Sequence, residues 1–279
     1  MDSSTARRMH RVIEPAHAMI YFAPEAFEEY EALGLSGQAE LYFPSRAAAF
    51  GVVPWQVVQA TFFGFSPLAV QFGIAEAWTK TTPQDVLAAR MRGVDRALRR
   101  IAPDLLSDVG EALDLVRTAC EGCAAPGRPL YAAHAALPEP AEPHLALWHG
   151  MALLREFRGD GHIAALVAAG ITAPQALVLN GSFQGGGMTQ FLQQTRAWSG
   201  DEWTTAVKQL EERGLVDGDG ELTDAGRAER ERIEEQTDQL ALAPYEHLGQ
   251  GRTDRLYELL LPLSKAVVAS GGLPVKPAK

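Results

Sequence analysis

Between residues 198 and 240 a run of local signals leaves the backbone few alternatives. Ser199 and Glu202 form an S-x-x-E capping box that opens a helix with Trp203, Val207 and Leu210 on one face. Gly214 ends that helix. Leu215-Val216, the turn Asp217-Gly218-Asp219-Gly220 and Glu221-Leu222 then read as a short β-hairpin. Thr223 caps a long charged helix over residues 224–240. Helix, hairpin, helix is the skeleton of a winged helix.

The rest of the chain reads as helical. Helices are expected at residues 7–22 (with Pro15 kinking it or near its start), 26–33 closed by Gly34, 54–63, 68–78, 83–101 and 105–120. Leu106, Val109, Leu113 and Val116 give the last of these an apolar stripe. Residues 124–143 carry Pro126, Pro129, Pro138, Pro140 and Pro143 and read as a linker or crossover. Beyond it, residues 145–155 are helical, Asp160 can cap a helix over 161–169 that Gly170 stops, and GSFQGGG at 181–187 reads as a loop.

The two halves share an order of landmarks. Ala32-Leu33-Gly34-Leu35 matches Ala168-Ala169-Gly170-Ile171, and Leu41-Tyr42-Phe43 matches Leu177-Val178-Leu179. Loops follow that end near Gly51 and Gly187, then Phe65-Ser66-Pro67 and Trp198-Ser199-Gly200, then the long helices at 83–101 and 223–240. The expected fold is therefore mainly α with short β-hairpin wings: two winged-helix-like lobes, 1–123 and 144–279, joined by the 124–143 crossover as an intrachain pseudo-dimer. Coincidence between two alanine-rich helical segments is the alternative.

Hydrophobic residues at 47% and charged residues at 22% are an ordinary globular mixture for 279 residues. No apolar run approaches the ~18–20 residues that span a bilayer. With Cys120 and Cys123 the only cysteines, a disulfide scaffold is excluded and a cytoplasmic location is expected. A single Cys-x-x-Cys makes no convincing zinc site, so neither metal nor cofactor is expected. Phosphate-cradling loops, dinucleotide fingerprints and hydrolase elbows are absent.

Blocks along nearly the whole chain carry a resemblance: IEPAHAMIYFAPE (13–25), AELYFPSRAAAFG (39–51), RPLYAAHAALPEPAEPHLALWHG (128–150), LLREFRGDGHIAALVAAG (153–170) and ERGLVDGDGELTDAGR (212–227). In these the chain resembles an actinobacterial helix-turn-helix family with MarR-like winged-helix features. The resemblance implies a winged-helix fold and fixes no activity. A DNA-reading protein of this type places the helix before the wing in the major groove. Here residues 196–240 hold 13 acidic and 6 basic side chains, the wing tip has no Lys or Arg, and the whole chain carries a formal charge of −10. Phosphates would meet repulsion there rather than counterion release. Arg90, Arg92, Arg96, Arg99 and Arg100 form the one basic cluster, on the wrong side of the first lobe's wing.

Two polar clusters suit chemistry. Glu14, His17 and Tyr21 share one helix stripe and could transfer protons; alternatively Glu14 pairs with an arginine and His17 is a core histidine. Arg155, Arg158, Asp160 and His162 could converge on one cavity, with an arginine clamping an anion and Asp160 orienting His162; alternatively Asp160 is only a cap and Arg158 is exposed. Arg46 is either buried against an acid such as Glu14 or Glu25 or contacts a ligand. Trp148 and His149 read as core neighbours of the second cluster. The expected protein binds a small organic ligand between its lobes, with His17, Glu14, His162 and Asp160 as acid/base candidates. Tyr21, Arg46, Trp148, His149, Arg155 and Arg158 are the ligand contacts. A ligand-responsive MarR-like DNA-binding regulator is the alternative, as is a scaffold without chemistry. Either a monomer or a homodimer suits the duplicated plan.

Overall fold

A computed structural model describes residues 1–185, 187–271 and 273, and every named element among them is a helix. In chain order the first half holds α1 (Ser4–Ala18), α2 (Pro24–Glu31), α3 (Gly37–Ala47), α4 (Trp55–Phe62), α5 (Pro67–Lys80), α6 (Pro83–Ile101) and α7 (Gly110–Glu121). There follow α8 (Pro129–Ala135), α9 (Pro143–Ala168), α10 (Ala173–Gln184), α11 (Met188–Arg196), α12 (Gly200–Glu212), α13 (Asp224–Leu240), α14 (Ala243–Leu248) and α15 (Gln250–Ala269). The expected boundaries of α6 and α13 hold, and so do the Ser199–Glu202 capping box and the Thr223 cap.

The expected β-hairpin wings are not formed. In the second half the hairpin shrinks to one antiparallel bridge, Val216 to Leu222, with Asp217 N donating to Glu221 O at 2.9 Å. The Asp217 Oδ1 accepts the Asp219 and Glu221 amides at 3.0 and 2.9 Å and closes the turn. The strands end within one more hydrogen bond, Thr223 N to Leu215 O, because α12 ends at Glu212 and α13 starts at Asp224. In the first half only Thr81 and Thr82 separate α5 from α6, too few for any hairpin.

Three other expectations need correction. The proline-rich stretch is not plain linker, because it contains α8, whose Leu130, Tyr131 and His134 are buried. Asp160 caps no helix of its own, because α9 runs unbroken through the Arg158-Gly159-Asp160-Gly161 passage. Gly161 is there for close approach: a Cβ would stand 2.6 Å from Arg128 Nη1. That guanidinium donates to Phe157 O and, at 2.6 Å, to Leu240 O, tying α8's start to α9 and α13. The helix α10 also reaches Gln184, well into the expected 181–187 loop, of which Gly186 lies outside the described residues.

Three apolar cores result among the described residues. The largest takes residues from both ends, Ala6 to Leu154 and Ala241 to Val267, and α1 packs on both α9 and α15. A second joins Ala165 and Leu166 of α9 to α10–α13 through Leu177, Trp203, Leu210 and Ile233. The third is aromatic: Phe43, Phe62 and Phe65 with Val70, Ile74 and Leu130. Helix α9 packs against α1, α7, α8 and α13 and is the common floor of the molecule. Among the described residues no single helix is long and apolar enough to cross a membrane.

Two stretches follow the same backbone itinerary. Gly34 (φ 82°) and Gly170 (φ 65°) end a helix, after which Leu35 N and Ile171 N donate back to Tyr30 O and Leu166 O. Gly51 (φ 71°, ψ −158°) and Gly185 (φ 61°, ψ −158°) then close the next helical segment. A short helix follows in each, and it stops at a non-glycine residue with positive φ, Phe63 (32°) or Ala197 (57°). Ser66 and Ser199 then precede α5 and α12.

Candidate functional site

A cavity of about 360 Å³ lies between the aromatic core and the α10–α13 core, with α9 as its floor. Its apolar wall comes from Phe62, Phe63 and Phe65 on one side and from Ile163, Leu166 and Leu177 on the other. The polar groups are unusual for such a hollow: Arg46, Arg155, Arg196 and Arg230, with Asp160, Glu234 and His162. A small set of fixed polar groups in an apolar concavity is the usual make-up of a ligand site.

Behind Arg46 and Arg155 stands Glu156, which is wholly buried on α9. Arg46 forks onto it with bonds of 2.9 and 2.6 Å, and Arg155 Nη1 donates at 2.9 Å. Burial alone would raise this carboxyl's pKa, but Arg46 and Arg155 outweigh it and hold the group well below the usual carboxylate range. Arg155 also donates to Glu14 at 3.0 Å. Glu14's own burial is likewise outweighed, chiefly by Arg155, and its pKa falls to about 2. Arg46 lies with its guanidinium carbon 4.9 Å from the Phe62 ring centre.

His17, Tyr21 and Trp148 are behind this wall, not on it. His17 is completely buried, stacks parallel to Trp148 at 6.2 Å and stands 3.7 Å from Glu156. Burial, reinforced by Arg155, keeps its ring neutral. The Tyr21 hydroxyl lies 3.2 Å from His17 Nε2 and accepts from Arg90 Nη2 at 3.2 Å. Trp148 Nε1 donates to Ala16 O at 2.9 Å. The structure therefore does not bring the Glu14–His17–Tyr21 stripe to the cavity; these side chains buttress the Glu156 centre. His149 is buried elsewhere on α9, where burial lowers its pKa. Arg158 turns to α13 instead, bonding Glu234 and Asp238 at 3.0 Å each.

The expected Asp160–His162 pairing is not formed, since residues two apart on a helix face different ways. Asp160 accepts the Tyr131 amide at 2.9 Å, at the start of α8, and burial, with Glu156 adding to it, pushes its pKa up to about 6. His162 instead meets Thr237 of α13, Nδ1 to Oγ1 at 2.9 Å. The Thr237 hydroxyl donates its one proton to Ile233 O at 2.7 Å, so the ring must donate to Thr237. That assignment leaves Nε2 with the lone pair, and burial lowers the ring's pKa, so His162 is neutral and basic at Nε2.

Glu156, Arg196, Arg230 and Thr237 were not singled out from the sequence. Glu156 was visible only as the acid beside Arg155, and Arg196 as the lone cation before the Trp198-Ser199 helix start. Arg230 pairs loosely with Glu234 at 3.9 Å and covers the Phe183 ring at 3.5 Å. Arg196 has no carboxylate within ion-pair distance among the described residues; its guanidinium donates to Thr195 Oγ1 at 2.9 Å and lies 4.5 Å from the Phe65 ring centre. Burial, with Arg46 and Arg155 adding repulsion, lowers its pKa. The turns at the two non-glycine residues with positive φ among the described residues, Phe63 and Ala197, meet here. Ser66 N donates to Arg196 O at 2.9 Å and Trp198 Nε1 to Gly64 O at 3.0 Å, so the turn after α4 and the turn after α11 clasp each other at the cavity's rim.

The first half's basic cluster is consumed internally. Arg90 donates to Ser45 O, Arg92 and Arg96 pair with Glu28 and Glu29, Arg99 pairs with Asp95, and Arg100 with Glu25. The Cys120 and Cys123 thiols are pushed up by burial, Cys123 to about 12, and no group of three or more metal-ligating side chains occurs among the described residues.

Helical in every named element among the described residues, the chain belongs to a helix-turn-helix family, whose model matches residues 6–274. No curated protein matches it, and no solved structure does.

Proposed function

We propose that this chain is a small-molecule-binding protein built on a duplicated, MarR-like helix-turn-helix plan, with lobes 1–123 and 144–279 linked through 124–143. The matched itinerary through Gly34/Gly170, Gly51/Gly185 and Phe63/Ala197 supports the duplication. The observation that carries the ligand-binding reading is the 360 Å³ hollow between the halves, walled by phenylalanines and supplied with fixed arginines and a neutral histidine. A pocket of this size and composition fits an organic metabolite. The reading extends to cofactor-free acid/base chemistry: His162 Nε2 is the base, Asp160 the acid, and Arg46 and Arg155 hold developing negative charge.

A thermal-shift screen of metabolites tests this, because a ligand that binds only the folded state raises its melting temperature. Hits are expected with the natural chain and are lost in Ala176→Trp, which fills the cavity from α10. Hits that survive the tryptophan refute the location.

Helix-turn-helix membership favours a second reading, a ligand-responsive DNA-binding regulator. Against it stand the acids of α12 and the following turn and the internally paired basic cluster. Fluorescence anisotropy with duplex DNA at low salt decides: tight, salt-dependent binding would establish it.

A further inference from the structure

We infer that the ligand is an organic acid of single negative charge with a flat apolar body, and that Arg196 selects it. The inference rests on the ligand-binding reading above and adds the ligand's charge and shape.

Of the four arginines on the cavity wall, three have their charge answered by the protein. Arg46 is answered by Glu156, Arg155 by Glu14 and Glu156, and Arg230 by Glu234. Arg196 has only a hydroxyl and a ring. Arg196 is half-buried, and a cation partly withdrawn from water without an anion is disfavoured; arginine does not escape that cost by losing its proton. Nor is Arg196 a loose surface side chain. Its carbonyl is held by Ser66 N, and Ala197 and Trp198 are pinned against the turn after α4. A residue fixed in place with its charge unanswered is prepared for an anion from outside.

Phe65 covers one face of the guanidinium, so the anion must approach along the N–H edge. There a planar carboxylate makes two parallel hydrogen bonds. One negative charge matches Arg196; a phosphate dianion would leave charge stranded among Phe62, Phe63 and Leu177 and near the Asp160 carboxyl, which ionises above about pH 6. Those side chains instead match a flat hydrocarbon body.

The test is calorimetric titration of the full chain with 1-naphthoate and with its neutral amide. The acid is expected to bind at least tenfold more tightly. Arg196→Gln should bring the acid down to the amide's affinity while leaving the amide unchanged, and Arg196→Lys should retain part of the preference. Equal binding of acid and amide overturns the inference and leaves the pocket reading standing. So does an acid preference that survives Arg196→Gln. Failure of both compounds to bind the natural chain overturns the inference too, and the pocket reading falls with it if the metabolite screen also yields no hit.

Discussion

The turn after α4 and the turn after α11 bend the chain in the same way, yet they contribute opposite things to the cavity. Around the first, Phe62, Phe63 and Phe65 supply apolar wall, and the nearby cation Arg46 is locked onto Glu156. At the second, the cation Arg196 closes the helix with no acid to meet it. One side of the hollow is electrostatically finished and the other is left open. The lesson is that matched backbones do not imply matched duties: the itinerary sets where side chains stand, and their partners decide whether they support the fold or wait for a ligand.

The largest expected contrast concerns those two cations. Glu156→Gln strands Arg46 in the interior and leaves Arg155 with Glu14 alone, and should cost about 3–5 kcal/mol in urea unfolding. Arg196→Gln removes a half-buried charge that no acid offsets and should leave stability unchanged or raise it by up to about 1 kcal/mol. Equal losses would erase the distinction. Asp160, on the shared floor, comes next. Its carboxyl ionises near 3.8 when unfolded and near 6 when folded, so stability falls as pH rises through that window. Asp160→Asn keeps an acceptor for Tyr131 N–H and should be more stable than the parent by about 1–3 kcal/mol at pH 8. Thermal melts should show the difference closing below pH 4.

The turns themselves give a smaller effect. Glycine accepts positive φ without strain, so Ala197→Gly should stabilise by about 1 kcal/mol. Phe63→Gly should instead destabilise, because the Phe63 ring packs against the α10–α13 core. Smallest is the pair of serines. Ser199 makes a full capping box, whereas Ser66 makes no side-chain cap, so Ser199→Ala should lose about 1 kcal/mol and Ser66→Ala only a few tenths. Chemical denaturation of both variants measures the gap.

Helices with strong end signals were legible in advance. Thr223 declares α13, and Gly34 and Gly170 mark real stops. The wing was misread because turn chemistry at Asp217–Gly220 says where the chain reverses but not how far strands continue beyond it. The break expected at Asp160 failed because Gly159 and Gly161 look like punctuation, and a tertiary contact, Arg128 against α9, is what calls for Gly161. In the site, Arg46, Arg155, Asp160 and His162 were anticipated as cavity residues, and an acid such as Glu14 or Glu25 was one of two readings for Arg46, a ligand the other. That the acid is Glu156, 110 positions away, depends on helix packing that spacing cannot reveal. The same holds for Thr237, which fixes the tautomer of His162 from another helix.

The largest core contains side chains from α1 and from α15, the first and last helices described. During synthesis this core cannot close until Gln250–Ala269 has left the ribosome, so the face of α1 that packs on α15 must wait uncovered even after α9 has been made. A nascent chain stalled before residue 250 is expected to expose that face to protease and to chaperones, whatever the α10–α13 unit has achieved by then.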